Sequence, residues 1–449
     1  MQNSIYRQFW KYTIPTVAAM LVNGLYQIVD GIFIGRYVGA DGLAGINVAW
    51  PIIGSILGIG MMIGVGTGAL TSIKQGENDH EGAKRILTTG LGLLAILMPV
   101  VATILFYFSD EFIRWQGAEG RVFELALQYL HILIVACVFT LGSIAVPFLL
   151  RNDDSPNLAT MLMVIGAVIN IVLDYVFIAW LGGWELTGAA IATALAQLVV
   201  TGLGIGYFFT SKATLRLRIS DFKVRVDVAP KIIMIGTSSF FMYAYGSVMV
   251  AMHNALFAQY GSAMLIGAYA ILGYIVTVYY LIAEGIANGM QPLVSFNHGG
   301  AQPGERQKIT ASRNGTSVLG GVAFVGLMNL FPYELVSVFN NADQQLIDST
   351  VIGIRLHMFA LFLDGFLVVA AAYYQSVNKG SKAMFVTLGN MLVQLPFLFV
   401  MPKLFGVTGI WLAFPLSNIA LSLVVVSMLW RDVKKLLNEA SAEPTVQAC

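Results

Sequence analysis

The chain has 449 residues, 57% of them hydrophobic and only 11% charged, with a formal net charge of +1. Soluble domains carry about 25% charged residues, so the composition excludes a water-soluble globular protein and points to an integral membrane protein. The small net charge argues against a nucleic-acid partner. Two cysteines, Cys137 in an apolar run and Cys449 at the last position, make neither a disulfide framework nor a metal-ligand spacing.

A helix that crosses a bilayer needs about 20 apolar residues. Hydropathy and turn chemistry predict twelve, at roughly 13–35, 45–73, 86–108, 122–150, 157–180, 186–210, 230–257, 263–296, 309–331, 346–375, 383–401 and 407–430. Met1 to Lys11 is polar and amphipathic and does not read as a cleavable signal. The first span carries Asn23, Gln27 and Asp30 at spacings of four and three, one stripe of a helix. Pro15 lies fifteen residues before Asp30, where a missing N–H permits a bend. The glycines of the second span, Gly58-Ile-Gly60 and Gly64-Val-Gly-Thr-Gly68, sit in apolar helical sequence and read as close helix packing rather than a phosphate cradle. On the fifth span Asn170 and Asp174 are one turn apart. The sixth brings Thr187, Thr193 and Gln197. Residues 211–229 form a basic linker. The eighth span carries a stripe of Glu284, Asn288 and Gln291, ended by Pro292, and on the tenth His357 and Asp364 are seven apart and expected on one face.

With both termini cytoplasmic, twenty of the 25 Lys and Arg residues fall on the inner side, and only Arg36, Arg114, Arg121, Arg355 and Lys403 fall outside. That bias supports the span count as well as the orientation. The halves also repeat. Gly64-Val-Gly-Thr-Gly68 is matched by Gly285-Ile-Ala-Asn-Gly289, Thr187-Gly188 by Thr408-Gly409, and Leu43-Ala-Gly45 by Leu265-Ile-Gly267, all at nearly one offset. The expected organisation is therefore a six-helix bundle at 1–210, a cytoplasmic linker at 211–229, and a second six-helix bundle with a short tail at 230–449, related as parallel repeats.

Four carboxylates stand alone in long apolar stretches of these spans. Asp30 is the only charged residue between Lys11 and Arg36, and Asp174 the only one between Asp154 and Glu185. Glu284 is alone between Lys231 and Glu305, and Asp364 between Arg355 and Lys379. An ionised side chain at the bilayer centre costs about 2.5–3.5 kcal/mol on insertion scales, so such residues are retained for ion or substrate passage. Two carboxyls sharing one cavity hold a proton between them, and oxygens of Asp30, Asn170 and Asp174 also suit Na+. Asn23, Gln27 and Thr193 complete the candidate coupling site. Glu284, Asp364, Asn288 and Gln291 are secondary candidates in the second half. Many tyrosines and methionines there suit organic cations and varied ligands. No enzyme motif, cofactor-binding motif or certain metal set is present, so the coupling ion is the only small partner expected besides drugs and lipids.

These features resemble the multidrug and toxic compound extrusion (MATE) family. The likeness rests on the two six-span halves, Tyr26-Gln-Ile-Val-Asp-Gly-Ile-Phe-Ile-Gly35, Gly39-Ala-Asp-Gly-Leu-Ala-Gly45 and Gly285-Ile-Ala-Asn-Gly-Met-Gln-Pro292. The resemblance implies an all-α membrane protein of twelve helices in two bundles related by a pseudo-two-fold axis, enclosing a V-shaped cavity. It implies export of cationic or amphipathic drugs in exchange for H+ or Na+ by a monomer in the bacterial inner membrane. Asp30, Asn170 and Asp174 match the coupling residues of the DinF-like branch, and Pro15 its hinge; a MepA-like branch is similar. Charge removal at Asp30 is then expected to favour bending of the first helix and expulsion of drug. Asp364 resembles an acid of the NorM-like branch, whose seventh-span acid is missing here. A lipid-linked flippase of the same superfamily is the alternative, and it would need basic groups in the cavity that this chain lacks at mid-membrane. A receptor or scaffold would need neither matched halves nor buried acids.

Overall fold

The computed structural model describes residues 2–115, 118–300, 326–338 and 343–442. Among them the secondary structure is entirely helical. Helices α1 (Gln2–Tyr37), α2 (Ala40–Gly76) and α3 (His80–Trp115) are long and continuous, with Pro15, Pro51 and Pro99 inside them. They are followed by α4 (Gly120–Val135), α5 (Cys137–Asn152), α6 (Pro156–Asp174) and α7 (Glu185–Tyr207). The second half has α8 (Ala229–Tyr260), α9 (Ala263–Gly299), a short α10 (Pro332–Ser337), α11 (Gln344–His357), α12 (Leu361–Ser376), α13 (Gly380–Phe405) and α14 (Val407–Ala442). Among the described residues nine helices are long and apolar enough to cross a membrane. The count rises to eleven when α4 with α5, bent by 62°, and α11 with α12, bent by 54°, are each one span. All eleven coincide with spans expected from hydropathy. The twelfth, expected at 309–331, lies largely outside the described residues. The chain is a multi-pass membrane protein.

The two broken spans recur at matching places in the repeat, at Ala136 and at residues 358–360. The repeat also shows in the backbone. Asp154 and Asn378, 224 positions apart, both adopt φ 58°, a left-handed turn conformation that Asp and Asn tolerate.

The chain divides into two compact units, Lys11–Ala244 and Met1–Trp10 with Tyr245–Cys449. In the first, small residues let helix backbones touch, as expected where lipid supplies no hydrophobic drive between helices. A Cβ at Gly64 would lie 2.8 Å from Ala145 Cα on α5. At Gly66 it would run into the Ile232 carbonyl, and at Gly236 into that of Met62, so α2 and α8 pack backbone against backbone. Isoleucines and leucines such as Ile34, Ile63, Leu87 and Leu141 fill the core around these contacts. In the second unit the core gathers Phe257, Leu272, Tyr279, Trp411 and Phe414.

Candidate functional site

In the first unit α1 brings Asp30 against Asp174, the last residue of α6. A π-helical turn, Tyr175–Trp180, follows directly. Such turns recur at functional sites because they break the regular helix register. Asp174 is 0% exposed, and Asp30 is half-buried. Both oxygens of Asp174 and Oδ1 of Asp30 are buried without a hydrogen-bond partner. Two facing carboxylates have only lone pairs to offer each other, so neither can satisfy the other unless one carries a proton or a cation lies between them. No Lys or Arg ion-pairs with either acid among the described residues.

Asn170, one turn before Asp174, donates from Nδ2 to Thr193 Oγ1 on α7 at 3.1 Å, while its Oδ1 is buried and unpartnered. The site therefore presents unsatisfied oxygens from Asp30, Asp174 and Asn170 together. Gln27 is exposed and reaches Tyr26, and Asn23 is half-buried. Two residues not singled out from sequence also belong here. Tyr129 on α4 is buried against Thr193 and lies beside Asp30 and Asp174; Tyr26 sits one turn before Asp30. The sequence signal for Tyr26 is its i,i+4 spacing to Asp30. Tyr129 has none. The other sixth-span candidates serve elsewhere. Gln197 accepts from Thr140 Oγ1 at 2.6 Å, and Thr187 lies 3.5 Å from Gln128 at an exposed position.

The lower part of α1 is anchored separately. Lys11 Nζ lies 3.2 Å from Asp154 Oδ1, and the Tyr12 hydroxyl donates to the same oxygen. Thr160 Oγ1 on α6 donates to the carbonyl of Pro15 at 2.8 Å, pinning the helix where its hydrogen-bond ladder is interrupted.

In the second unit Asp364 lies buried on α12. Asn390 Nδ2 on α13 donates to its Oδ1 at 2.9 Å, and the Tyr280 hydroxyl bonds to it as well. Nearby Tyr245 donates to Gln394 Oε1 at 2.9 Å. Glu284 on α9 is half-buried, Asn288 Nδ2 is buried without a partner, and Gln291 donates to Ser295 at 3.0 Å. The expectation that His357 and Asp364 share one face does not hold. The span breaks between them, so His357 ends α11 with its Nδ1 2.8 Å from the Trp411 carbonyl, while Asp364 belongs to α12. Arg151, one residue beyond the span expected at 122–150, is 1% exposed, with Nη2 3.5 Å from Met163 Sδ.

The MatE family model matches residues 15–176 and 236–400, most of the chain. The chain is 24% identical over 441 residues to the multidrug export protein MepA of Staphylococcus saprophyticus, covering 96% of this chain and 95% of that protein. The MepA of Staphylococcus aureus matches with the same identity and coverage. Among solved structures, an outward-facing multidrug resistance MATE family transporter of the MOP superfamily superposes with a TM-score of 0.91 at 22% identity, over 96% of both chains. A MATE structure in the bent conformation superposes at 0.90 and 22% identity, over 98% of this chain and 97% of that one.

Proposed function

From a chain that belongs to the MatE family, we propose a multidrug efflux antiporter that exports organic cations and amphipathic drugs in exchange for H+ or Na+. Its relatives are multidrug export proteins by name, which supports the substrate class. The observation that carries the coupling is the facing pair Asp30–Asp174, whose buried oxygens lack donors. A proton between the carboxyls, or a Na+ taking those oxygens with Asn170 Oδ1, satisfies them and removes the repulsion. Asn170, Thr193, Asn23 and Gln27 serve as surrounding polar groups. Charge removal at Asp30 then favours a bend of α1 near Pro15, and the bend expels drug. Pro15 is the hinge because it lacks the N–H that would hold the helix straight, and Asp154 and Thr160 fix the part below it. Asp364, Glu284, Asn288 and Gln291 are secondary candidates for contact with the cationic substrate. The site works within a monomer of two six-helix halves in the inner membrane, with the linker and both termini cytoplasmic.

The test is ethidium efflux from proteoliposomes, with a pH gradient and a Na+ gradient imposed separately. Efflux under one gradient that is abolished by Asp30→Asn is expected. Unchanged coupled efflux in Asp30→Asn sinks the assignment. Absence of cation efflux under both gradients favours a lipid-linked flippase.

A further inference from the structure

The segment between α7 and α8 is held as a strap along the first unit. At its near end Leu215 and Leu217 are buried, and the Asp153 carboxylate accepts from the backbone N–H groups of Thr214 at 2.9 Å and Leu215 at 2.8 Å. Burial pushes the Asp153 carboxyl above its ordinary range, and the two amide donors act against that shift. At the far end Thr89 on α3 accepts from Arg225 N at 3.4 Å, and the Val224 side chain fills the notch over Gly92. Between these ties a single 3-10 turn, Ile219–Asp221, is closed by Arg218 N donating to Asp221 Oδ2 at 2.8 Å. Phe222 stacks on Phe209 with ring centroids 6.0 Å apart.

What the strap presents is unusual for a water-facing loop. Ile219 is 85% exposed and Val226 84%. They alternate with Lys212, Arg216, Arg218 and Lys223, all exposed, and Arg225, half-buried; none of the five makes an ion pair among the described residues. Over 211–231 six basic residues stand against two acidic ones. The strap leaves Tyr207 and returns at Ala229, the ends of two membrane-spanning helices, so it lies within a few residues of the bilayer edge.

We propose that this strap is a docking surface for anionic phospholipid headgroups, with Arg216, Arg218 and Lys223 on the phosphates and Ile219 and Val226 seated in the interface. Juxtamembrane basic side chains attract anionic lipid, by roughly five-fold for each residue at the surface. Bare branched aliphatic side chains gain by entering the headgroup–acyl boundary. A soluble acidic partner accounts for the charges but leaves Ile219 and Val226 in water. A topological excess of positive charge requires neither the ties to Asp153 and Thr89 nor the projecting aliphatics. The inner-leaflet placement rests on the cytoplasmic orientation proposed above.

The test uses full-length protein with Cys449→Ser and Ile219→Cys, labelled with an environment-sensitive fluorophore; Cys137 is buried. It is reconstituted with brominated phosphatidylglycerol or brominated phosphatidylcholine at equal mole fraction. Quenching by both lipids, severalfold stronger for phosphatidylglycerol, is expected, with the preference lost in Arg216→Gln/Arg218→Gln/Lys223→Gln. Equal quenching by the two lipids overturns the headgroup assignment. No lipid quenching, with free access to aqueous iodide, overturns the membrane docking. Orientation is read independently from Ser220→Cys and an impermeant maleimide. Labelling from the outer side in right-side-out vesicles defeats the inner-leaflet placement and leaves the lipid preference to stand or fall on the quenching.

Discussion

The anchor beneath Pro15 offers a sharp test of how α1 is held. Two side chains tie it to Asp154, and the structure ranks them. Lys11 and Asp154 have side chains 50% and 63% exposed, so their ion pair is screened and contributes under about 0.5 kcal/mol. Tyr12 is 7% exposed, and its hydroxyl bonds directly to the carboxylate. Hydrogen bonds to charged groups contribute about 1.5–3 kcal/mol, which the exposure of Asp154 reduces to about 1.5 kcal/mol here. Tyr12→Phe is therefore expected to shift the equilibrium for local detachment of α1 roughly ten-fold, and Lys11→Ala less than about two-fold.

Thr13 is the reporter position, because it is buried and its hydroxyl has no partner, so Thr13→Cys loses no hydrogen bond. In the Cys449→Ser background its labelling rate by a permeant maleimide follows the opening equilibrium. Faster labelling in Tyr12→Phe by about ten-fold, with Lys11→Ala near wild type, is expected. Asp154→Asn, which keeps the left-handed backbone while removing the charge, falls between the two. Equal effects of Tyr12→Phe and Lys11→Ala, or none from either, would refute the reasoning. In transport, the loosened anchor lets α1 move below Pro15 as well as above it. Ethidium binding is then unchanged, while ethidium expelled per coupling ion falls.

Asn170→Ala separates the coupling ions. Loss of one oxygen ligand weakens Na+-driven efflux, raising the half-saturating Na+ about ten-fold, whereas proton-driven efflux keeps its midpoint; a shift under neither gradient removes Asn170 from the site. Asp364→Ala leaves the Asn390 and Tyr280 donors unpaired, and thermal unfolding in detergent is expected to show a loss of about 1–3 kcal/mol for each. Asp364→Asn keeps an acceptor and can donate to the unpartnered Asn390 Oδ1, so it retains most of the stability; equal losses in the two variants would show that the charge matters more than the donors. Gly66→Ala drives a Cβ into the Ile232 carbonyl and costs about 1–3 kcal/mol, whereas Gly202→Ala, with nothing within 4 Å, is neutral or slightly stabilising in the same assay.

The spans and the acid pair were legible because a charge inside twenty apolar residues is a loud signal and its cost is large. Asp30, Asp174, Asn170 and Thr193 were named as candidates from that contrast and from helical spacing; the hydrogen bond between Asn170 and Thr193 was not. Tyr129 did not, because with 12% aromatic residues one buried tyrosine has no contrast against the others. The breaks at Ala136 and at 358–360 were also silent. Neither carries Gly or Pro, and the second is accompanied by a tertiary contact, His357 to the Trp411 carbonyl. That break is what separates His357 from Asp364. Arg151 was silent as well: it lies one residue beyond the span expected at 122–150, while packing against Phe148 and Met163 encloses it.

Each half carries an acid beside a broken or distorted stretch of helix, on helices that the repeat does not pair, and the two acids have opposite surroundings. Asp364 is met by an amide and a phenol that donate to it, so its carboxyl group has hydrogen-bond partners within the protein. Asp174 faces Asp30 and finds no donor at all. A carboxyl group that already has two donors does not need a proton to find a partner, whereas a facing pair without donors gains its missing hydrogen bond from one. The two halves thus need not share one role. On the proposed antiport the donor count fits ion exchange to the first unit, and it leaves Asp364, beside Tyr245, Tyr279 and Tyr280, as the proposed contact for an organic cation.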